Sequence, residues 1–111
     1  MILTDRNVDG IDIVSLAGRL VMADVPQVRQ RLLATVERGG GKLILDLREV
    51  GFMDSSGLSV LVSVLKAVRL RNGDVVLLHL NPTVRSLIEL TRLHRVFAIC
   101  DDEAAALARL R

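Results

Sequence analysis

The sequence is poor in cysteine and in aromatic residues. Its 111 residues include a single cysteine, Cys100, and two aromatic side chains, Phe52 and Phe97. One cysteine cannot form an intramolecular disulfide or a cysteine-rich zinc site, so we expect a reducing compartment and no bound metal. Two aromatic side chains offer almost no surface on which nucleic-acid bases could stack, so we expect no nucleic-acid partner.

Long hydrophobic runs and a strong charge of one sign are also lacking. The most apolar stretch, from about Leu58 to Leu65, is interrupted by Ser59 and Ser63 and is far too short to cross a bilayer. The N-terminus lacks the basic start and long apolar segment of a secretory signal. The formal net charge of +2 creates no strong electrostatic field. We therefore expect a cytoplasmic protein that is not inserted in a membrane.

Hydrophobic residues make up 50% of the chain, which is enough to form the core of one domain over residues 1–111. Two apolar stretches, residues 2–8 and 11–16, flank the pair Asp9-Gly10, which is typical of a tight hairpin turn. The chain is therefore expected to open with two antiparallel strands.

Helical and strand-like patterns alternate after this hairpin. We predict helices over residues 24–38 and 56–72, a third after Asn81-Pro82 and a last one from about Asp102. Gly39-Gly40-Gly41 ends the first helix, and short strands are predicted over residues 42–47, 74–80 and 95–100. This order predicts an α/β fold with a mixed sheet of about five strands and helices packed against it.

The run Asp54-Ser55-Ser56-Gly57 lies between a predicted loop at residues 50–53 and the start of the second helix. Partners of open α/β sheets meet the carboxyl ends of strands, so these hydroxyls are candidate functional groups. Aspartate and serine are also favoured helix caps, and cap chemistry alone favours a structural role. Two features weaken that interpretation. A single capping residue would be enough to satisfy the start of the helix. In addition, Gly57 lowers helix propensity by about 1 kcal/mol relative to alanine, and a glycine here would be explained by a close approach of another backbone segment.

The second helix has three faces when its residues are placed at 100° intervals. The stripe predicted to face the sheet contains Leu58, Leu61, Val62, Leu65 and Val68, and the opposite, polar face contains Ser56, Ser59, Ser63 and Lys66. An apolar flank of Val60, Val64 and Ala67 remains between them. This flank is either an exposed binding surface or is covered by another helix, and the pattern does not distinguish the two.

The segment Phe52-Met53-Asp54-Ser55-Ser56-Gly57-Leu58 resembles the STAS domain, and within it the anti-sigma factor antagonists of bacteria. The resemblance spans nearly the whole chain. It includes the runs Leu16-Ala17-Gly18-Arg19-Leu20 and Leu80-Asn81-Pro82-Thr83-Val84. The chain is accordingly expected to be one STAS domain.

The resemblance implies a regulator that switches between partners and is not an enzyme. An anti-sigma factor, itself a serine kinase, would phosphorylate Ser55, and a phosphatase would remove the phosphate. The unphosphorylated form would bind the anti-sigma factor and release the sigma factor for transcription. We expect no cofactor. The predicted partner-binding surface consists of Asp54, Ser56, Gly57, Val60, Val64 and Ala67.

One run departs from the family pattern. Many antagonists carry an acidic-Leu-acidic sequence after the glycine that corresponds to Gly18, whereas this chain has Arg19-Leu20-Val21. The alternative is a STAS interaction subunit of a transporter or of a lipid-transport ATPase complex, which would bind its partner independently of phosphorylation.

The remaining candidates for chemistry are isolated in the sequence. His79 and His94 have no second metal ligand at a suitable spacing, and Cys100 has no adjacent histidine that would activate it as a nucleophile. We therefore predict neither a metal site nor a catalytic residue.

Overall fold

The computed structural model describes all residues from 1 to 111 and contains five strands and four α-helices. In chain order the elements are β1 Ile2–Val8, β2 Ile11–Leu20, α1 Val25–Arg38, β3 Lys42–Met53, α2 Ser55–Leu70, β4 Asp74–Leu78, α3 Pro82–Leu90, β5 Ala98–Cys100 and α4 Glu103–Leu110. Short 3-10 helices lie at Met22–Asp24 and Leu93–Arg95. The predicted alternation of helices and strands is confirmed.

The five strands form one mixed sheet in the order β1-β2-β3-β4-β5. β1 and β2 are antiparallel, and every other neighbouring pair is parallel. Asp9 and Gly10 both have positive φ, 53° and 83°, as the two central residues of a type I′ hairpin turn require. The predicted hairpin and mixed sheet are therefore confirmed.

Helices cover both faces of the sheet. α1, α2 and α3 pack on one face and share a large apolar core with it. α4 packs on the other face through Ala106, Leu107 and Leu110, over Ile44 and Val76 of the central strands. This arrangement leaves the start of α2 at the carboxyl-terminal ends of the parallel strands, where ligands and partners of α/β sheets bind.

Two strands are longer than predicted. The prediction of a loop at residues 50–53 is wrong, because β3 continues to Met53 and pairs with the extension of β2 to Leu20. Arg48 and Glu49 interrupt the apolar run, and the register between β2 and β3 shifts after Ser15 and after Gly18. Bulges of this kind break the alternation on which strand prediction relies.

Other element boundaries differ by a few residues. β4 ends at Leu78 because His79 adopts a left-handed backbone with φ of 59°. β5 begins at Ala98, later than predicted, because Leu93–Arg95 form a 3-10 helix. α2 begins at Ser55, one residue earlier than predicted, so that both serines of the motif are helical.

Candidate functional site

A single residue, Asp54, connects β3 to α2 and serves as the N-cap of the helix. One oxygen of its carboxylate accepts hydrogen bonds from the backbone N–H groups of Ser56 and Gly57, at 2.9 and 3.1 Å. Its own carbonyl accepts from the N–H of Leu58 at 3.2 Å. A cap of this kind stabilises a helix by about 1 kcal/mol. The structural role of the motif is therefore carried by Asp54.

Ser55 is exposed, and its hydroxyl makes no hydrogen bond within the chain. Ser56 is half-buried, and its carbonyl accepts from the hydroxyl of Ser59 at 2.6 Å. Because Asp54 already caps the helix, neither serine is needed for that purpose. Of the two hydroxyls, that of Ser55 is the more accessible to another protein.

Gly57 is buried where the first turn of α2 meets the end of β2. A Cβ atom at this position would lie 2.5 Å from Cγ of Met53 and 2.7 Å from the carbonyl oxygen of Leu20. The same carbonyl accepts a hydrogen bond from the N–H of Asp54 at 3.3 Å. The expected close backbone approach at Gly57 is confirmed, and it positions the serines against β2.

The predicted exposed flank on α2 does not exist near Ser55. Val60 and Val64 are both 0% exposed and belong to the same core as Val28 and Leu32 of α1. The alternative, that another helix covers this flank, is confirmed. α2 packs against the sheet and against α1, so its buried arc is wider than a single stripe. Val60 and Val64 therefore cannot contact a partner.

Two other members of the helix faces also differ from expectation. Ala67 is half-buried in a groove between α1 and α2, which is also lined by Leu33 and Leu70. It lies twelve residues after Ser55, a distance of roughly 18 Å along the helix. Ala67 is thus not part of the surface around Ser55. Val62, which is predicted to face the sheet, is only half-buried.

The exposed apolar side chains at the end of the sheet where α2 begins are instead Phe52 and Met22. Phe52, at the end of β3, is 40% exposed, and Met22, just after β2, is 72% exposed. The guanidinium of Arg19 lies 5.1 Å from the centre of the Phe52 ring, because Arg19 and Phe52 are register partners across β2 and β3. The sequence does not reveal this surface, because residues 50–53 are predicted to form a loop and the apolar stretch that marks β2 ends at residue 16. We call Arg19, Met22 and Phe52 the strand-end patch.

The strand-end patch and Ser55 share one end of the molecule. Asp54 is hydrogen-bonded to Leu20, and Met22 follows Leu20 by two residues. None of the five surface depressions is lined by Asp54, Ser55 or Ser56. Small-molecule substrates are normally held in concave pockets. The open setting of Ser55 therefore fits a protein surface better than a small substrate.

The other candidate side chains have ordinary structural partners. His79 is half-buried, and its Nε2 lies 2.7 Å from Nη2 of Arg48. Burial raises the pKa of the Cys100 thiol, an effect that Arg109 only partly opposes. A raised pKa keeps the thiol protonated and weakly nucleophilic. No group of three or more His, Cys, Asp or Glu side chains is arranged to hold a metal ion.

None of the helices has both the length and the apolar character needed to cross a bilayer.

Comparison with known proteins gives consistent matches. A family model described as the STAS domain matches residues 3–106. The anti-sigma-B factor antagonist of Listeria monocytogenes is 35% identical over 101 residues, which are 91% of this chain and 88% of that protein. The anti-sigma F factor antagonist of Paenibacillus polymyxa is 31% identical over 102 residues, or 91% and 87% of the two chains.

The fold is also similar to that of solved structures. The crystal structure of an anti-sigma factor antagonist from Mycobacterium paratuberculosis matches with a TM-score of 0.90 at 26% identity, covering 99% of this chain and 93% of that one.

Proposed function

Because the chain belongs to the STAS domain family, we propose that it is an anti-sigma factor antagonist whose binding is switched off by phosphorylation of Ser55. The proposed partner is an anti-sigma factor that is also a serine kinase, and a phosphatase reverses the modification. The observation that carries the proposal is Ser55 itself. It is exposed, its hydroxyl is not used by the fold, and it lies at the same end of the molecule as the strand-end patch.

The charge of a phosphate explains how the switch would work. Phosphorylation adds about 1.5 to 2 negative charges at Ser55. Docking of a partner on Phe52 and Met22 would have to remove water from that charge, and the carboxylate of Asp54 already makes the position acidic. The fold would persist, because Ser55 is at the surface and contributes no hydrogen bond that would be lost.

In this proposal the protein is a phosphate acceptor and a ligand in the cytoplasm, and the partner carries out the chemistry. A nucleophilic serine needs a general base within hydrogen-bond reach, and no such base is hydrogen-bonded to Ser55. The nearest carboxylate in sequence, Asp54, is occupied by the two N–H groups of the cap. The phosphoryl group would therefore come from ATP bound to the kinase.

The proposal is tested by incubating the protein with its cognate anti-sigma kinase and ATP and measuring its intact mass. One phosphate should be added to the wild-type protein, and peptide mapping should place it on Ser55. Ser55→Ala should remain unmodified while Ser56→Ala is still modified. A wild-type protein that binds the kinase but gains no phosphate at Ser55 would refute the switch.

A substitution in the strand-end patch is expected to weaken docking. Phe52→Ser removes a partly exposed ring, and we expect at least a tenfold loss of affinity for the unphosphorylated complex, since exposed aromatic residues often dominate interface energies. Isothermal titration calorimetry with the anti-sigma factor measures this loss.

The matched control is Leu90→Ser, which removes an apolar side chain that is 82% exposed at the end of α3, outside the strand-end patch. Its affinity should equal that of the wild type. Equal losses in the two variants would show that general surface hydrophobicity, and not the strand-end patch, drives docking. Circular dichroism checks that both variants are folded.

The alternative function is a STAS interaction subunit of a transporter or of a lipid-transport ATPase complex. The observation that favours it is Arg19, which makes the strand-end patch basic where many antagonists are acidic. Capture of an ABC ATPase by the purified protein, with equal efficiency for wild type and Ser55→Asp, would support this alternative over the switch.

A further inference from the structure

Arg29 is a half-buried cation without a carboxylate partner. It lies on α1, and no Asp or Glu side chain is within 4.0 Å of its guanidinium. Arg31 and Arg38 of the same helix both approach the carboxylate of Asp5, at 3.7 and 3.6 Å. Removing a charge partly from water without a counter-ion is unfavourable, so an anion brought within reach of Arg29 would be bound favourably.

The contacts of Arg29 direct this cation toward the polar face of α2. Its Nη2 donates to the hydroxyl of Ser59 at 3.2 Å. Its Nε is fully buried and has no hydrogen-bond partner. The guanidinium therefore has one neutral acceptor and at least one unused donor that is screened from water.

Ser59 is adjacent to both serines of the motif on the helix surface. It follows Ser55 by four residues and Ser56 by three, spacings that place Cβ atoms roughly 5 to 6 Å apart. Side chains on a helix lean toward its N-terminus, so the Ser59 hydroxyl that accepts from Arg29 leans toward the turn that carries Ser55. A phosphate on Ser55 would extend into the reach of Arg29.

The start of α2 offers few other donors for such a phosphate. The N–H groups of Ser56 and Gly57 are bound to the Asp54 carboxylate, and that of Leu58 is bound to the Asp54 carbonyl. Among the first four N–H groups of the helix, only that of Ser55 has no acceptor in the chain. The backbone therefore leaves most of the phosphate oxygens to water or to a cationic side chain within reach.

We propose that Arg29 is the intramolecular ligand of the phosphate on Ser55. In the phosphorylated protein the guanidinium exchanges the Ser59 hydroxyl for phosphate oxygens, which it binds through its planar fork of N–H donors. The phosphate is then held against α1 and α2. This inference rests on the proposed modification of Ser55, and it assigns to α1 a role in the switched-off state.

The test uses phosphoserine placed at position 55 during translation, so that the full chain is phosphorylated without any kinase. Phosphorus NMR then follows the second ionisation of the phosphate, which is near pH 6 in an isolated phosphoserine. A guanidinium in contact favours the dianion and so lowers this pKa. We expect the midpoint of the wild type to lie about 0.5 pH units or more below that of Arg29→Gln.

Arg31→Gln is the matched control, because it removes the same charge from the same helix. Its midpoint should equal that of the wild type, and Arg29→Lys should lie between the wild type and Arg29→Gln. The proton and nitrogen resonances of the Arg29 Nε–H group provide a second measurement that needs no substitution. They should shift on phosphorylation, since the buried donor gains an acceptor nearby.

Two results would overturn the proposal. One is that the phosphate of the wild type and that of Arg29→Gln titrate at the same pH, and that the Arg29 Nε–H resonance does not shift on phosphorylation. The other is an unchanged midpoint with a tenfold or larger loss of anti-sigma factor binding by unphosphorylated Arg29→Gln, which would assign Arg29 to a carboxylate of the partner. Failure of the kinase to modify Ser55 would refute the proposed function and leave the titration result intact.

Discussion

Phosphorylation of Ser55 should weaken binding to the anti-sigma factor by about 100-fold, or nearly 3 kcal/mol, without unfolding the protein. The phosphate adds its charge to an exposed position next to Asp54, at the end of the molecule that carries Phe52 and Met22. A partner that buries these apolar side chains must also dehydrate the phosphate or avoid it. Ser55→Asp carries a single charge on a shorter side chain, so we expect a smaller loss of about tenfold.

Calorimetric titration of the two forms against the anti-sigma factor measures this effect. Ser86→Asp supplies the charge control, because Ser86 is an exposed serine on a different helix, α3. Its affinity should match that of the wild type. If the phosphorylated protein and the Ser86→Asp variant bind as tightly as the wild type, Ser55 does not control docking, and the phosphorylation-independent alternative gains support.

Gly57→Ala should destabilise the protein by about 2 kcal/mol, although alanine is the better helix former. The added methyl group would overlap Cγ of Met53 and the backbone carbonyl of Leu20, which cannot move without disturbing the hydrogen bond to Asp54. This overlap outweighs the gain of about 1 kcal/mol in helix propensity. Urea denaturation followed by circular dichroism measures the free energy of unfolding.

Gly51→Ala is the appropriate comparison for Gly57→Ala. Gly51 lies in β3, four residues before the start of α2, and a Cβ at that position has no heavy atom within 4 Å. Its substitution should change stability by less than about 0.5 kcal/mol. Similar stabilities for the two variants would mean that the first turn of α2 does not pack against β2 as closely as described.

Element types and helix caps were predictable because they depend on neighbours in the chain. Asp9-Gly10 forms the predicted hairpin turn, and Asn81 caps α3 by accepting from the N–H of Val84 at 3.0 Å. Asp102 caps α4 in the same way through the N–H of Ala105, at 2.7 Å. Such signals involve residues within three positions of each other, so a linear sequence contains them completely.

The composition of the surface around Ser55 was not predictable in the same way. The apolar alternation of β3 is interrupted at Arg48 and Glu49, so the strand that brings Phe52 beside Arg19 was interpreted as a loop. Its pairing depends on the extension of β2, which is more than 30 residues earlier in the chain. Long-range pairing of this kind overrides local strand preference.

The sequence alone sufficed to assign an α/β fold and to place a close approach at Gly57, because periodicity and helix propensity are local properties. The choice of Ser55 over Ser56 came from the resemblance to the STAS domain and remains a prediction. It could not establish which side of α2 meets α1. The amphipathic pattern marks Val60 and Val64 as apolar without identifying what covers them. Packing of α1 buries both residues and brings Arg29 to Ser59, whereas Phe52 and Met22 stay exposed at the strand ends. These relations depend on contacts between distant segments, and they give Ser55 its surroundings.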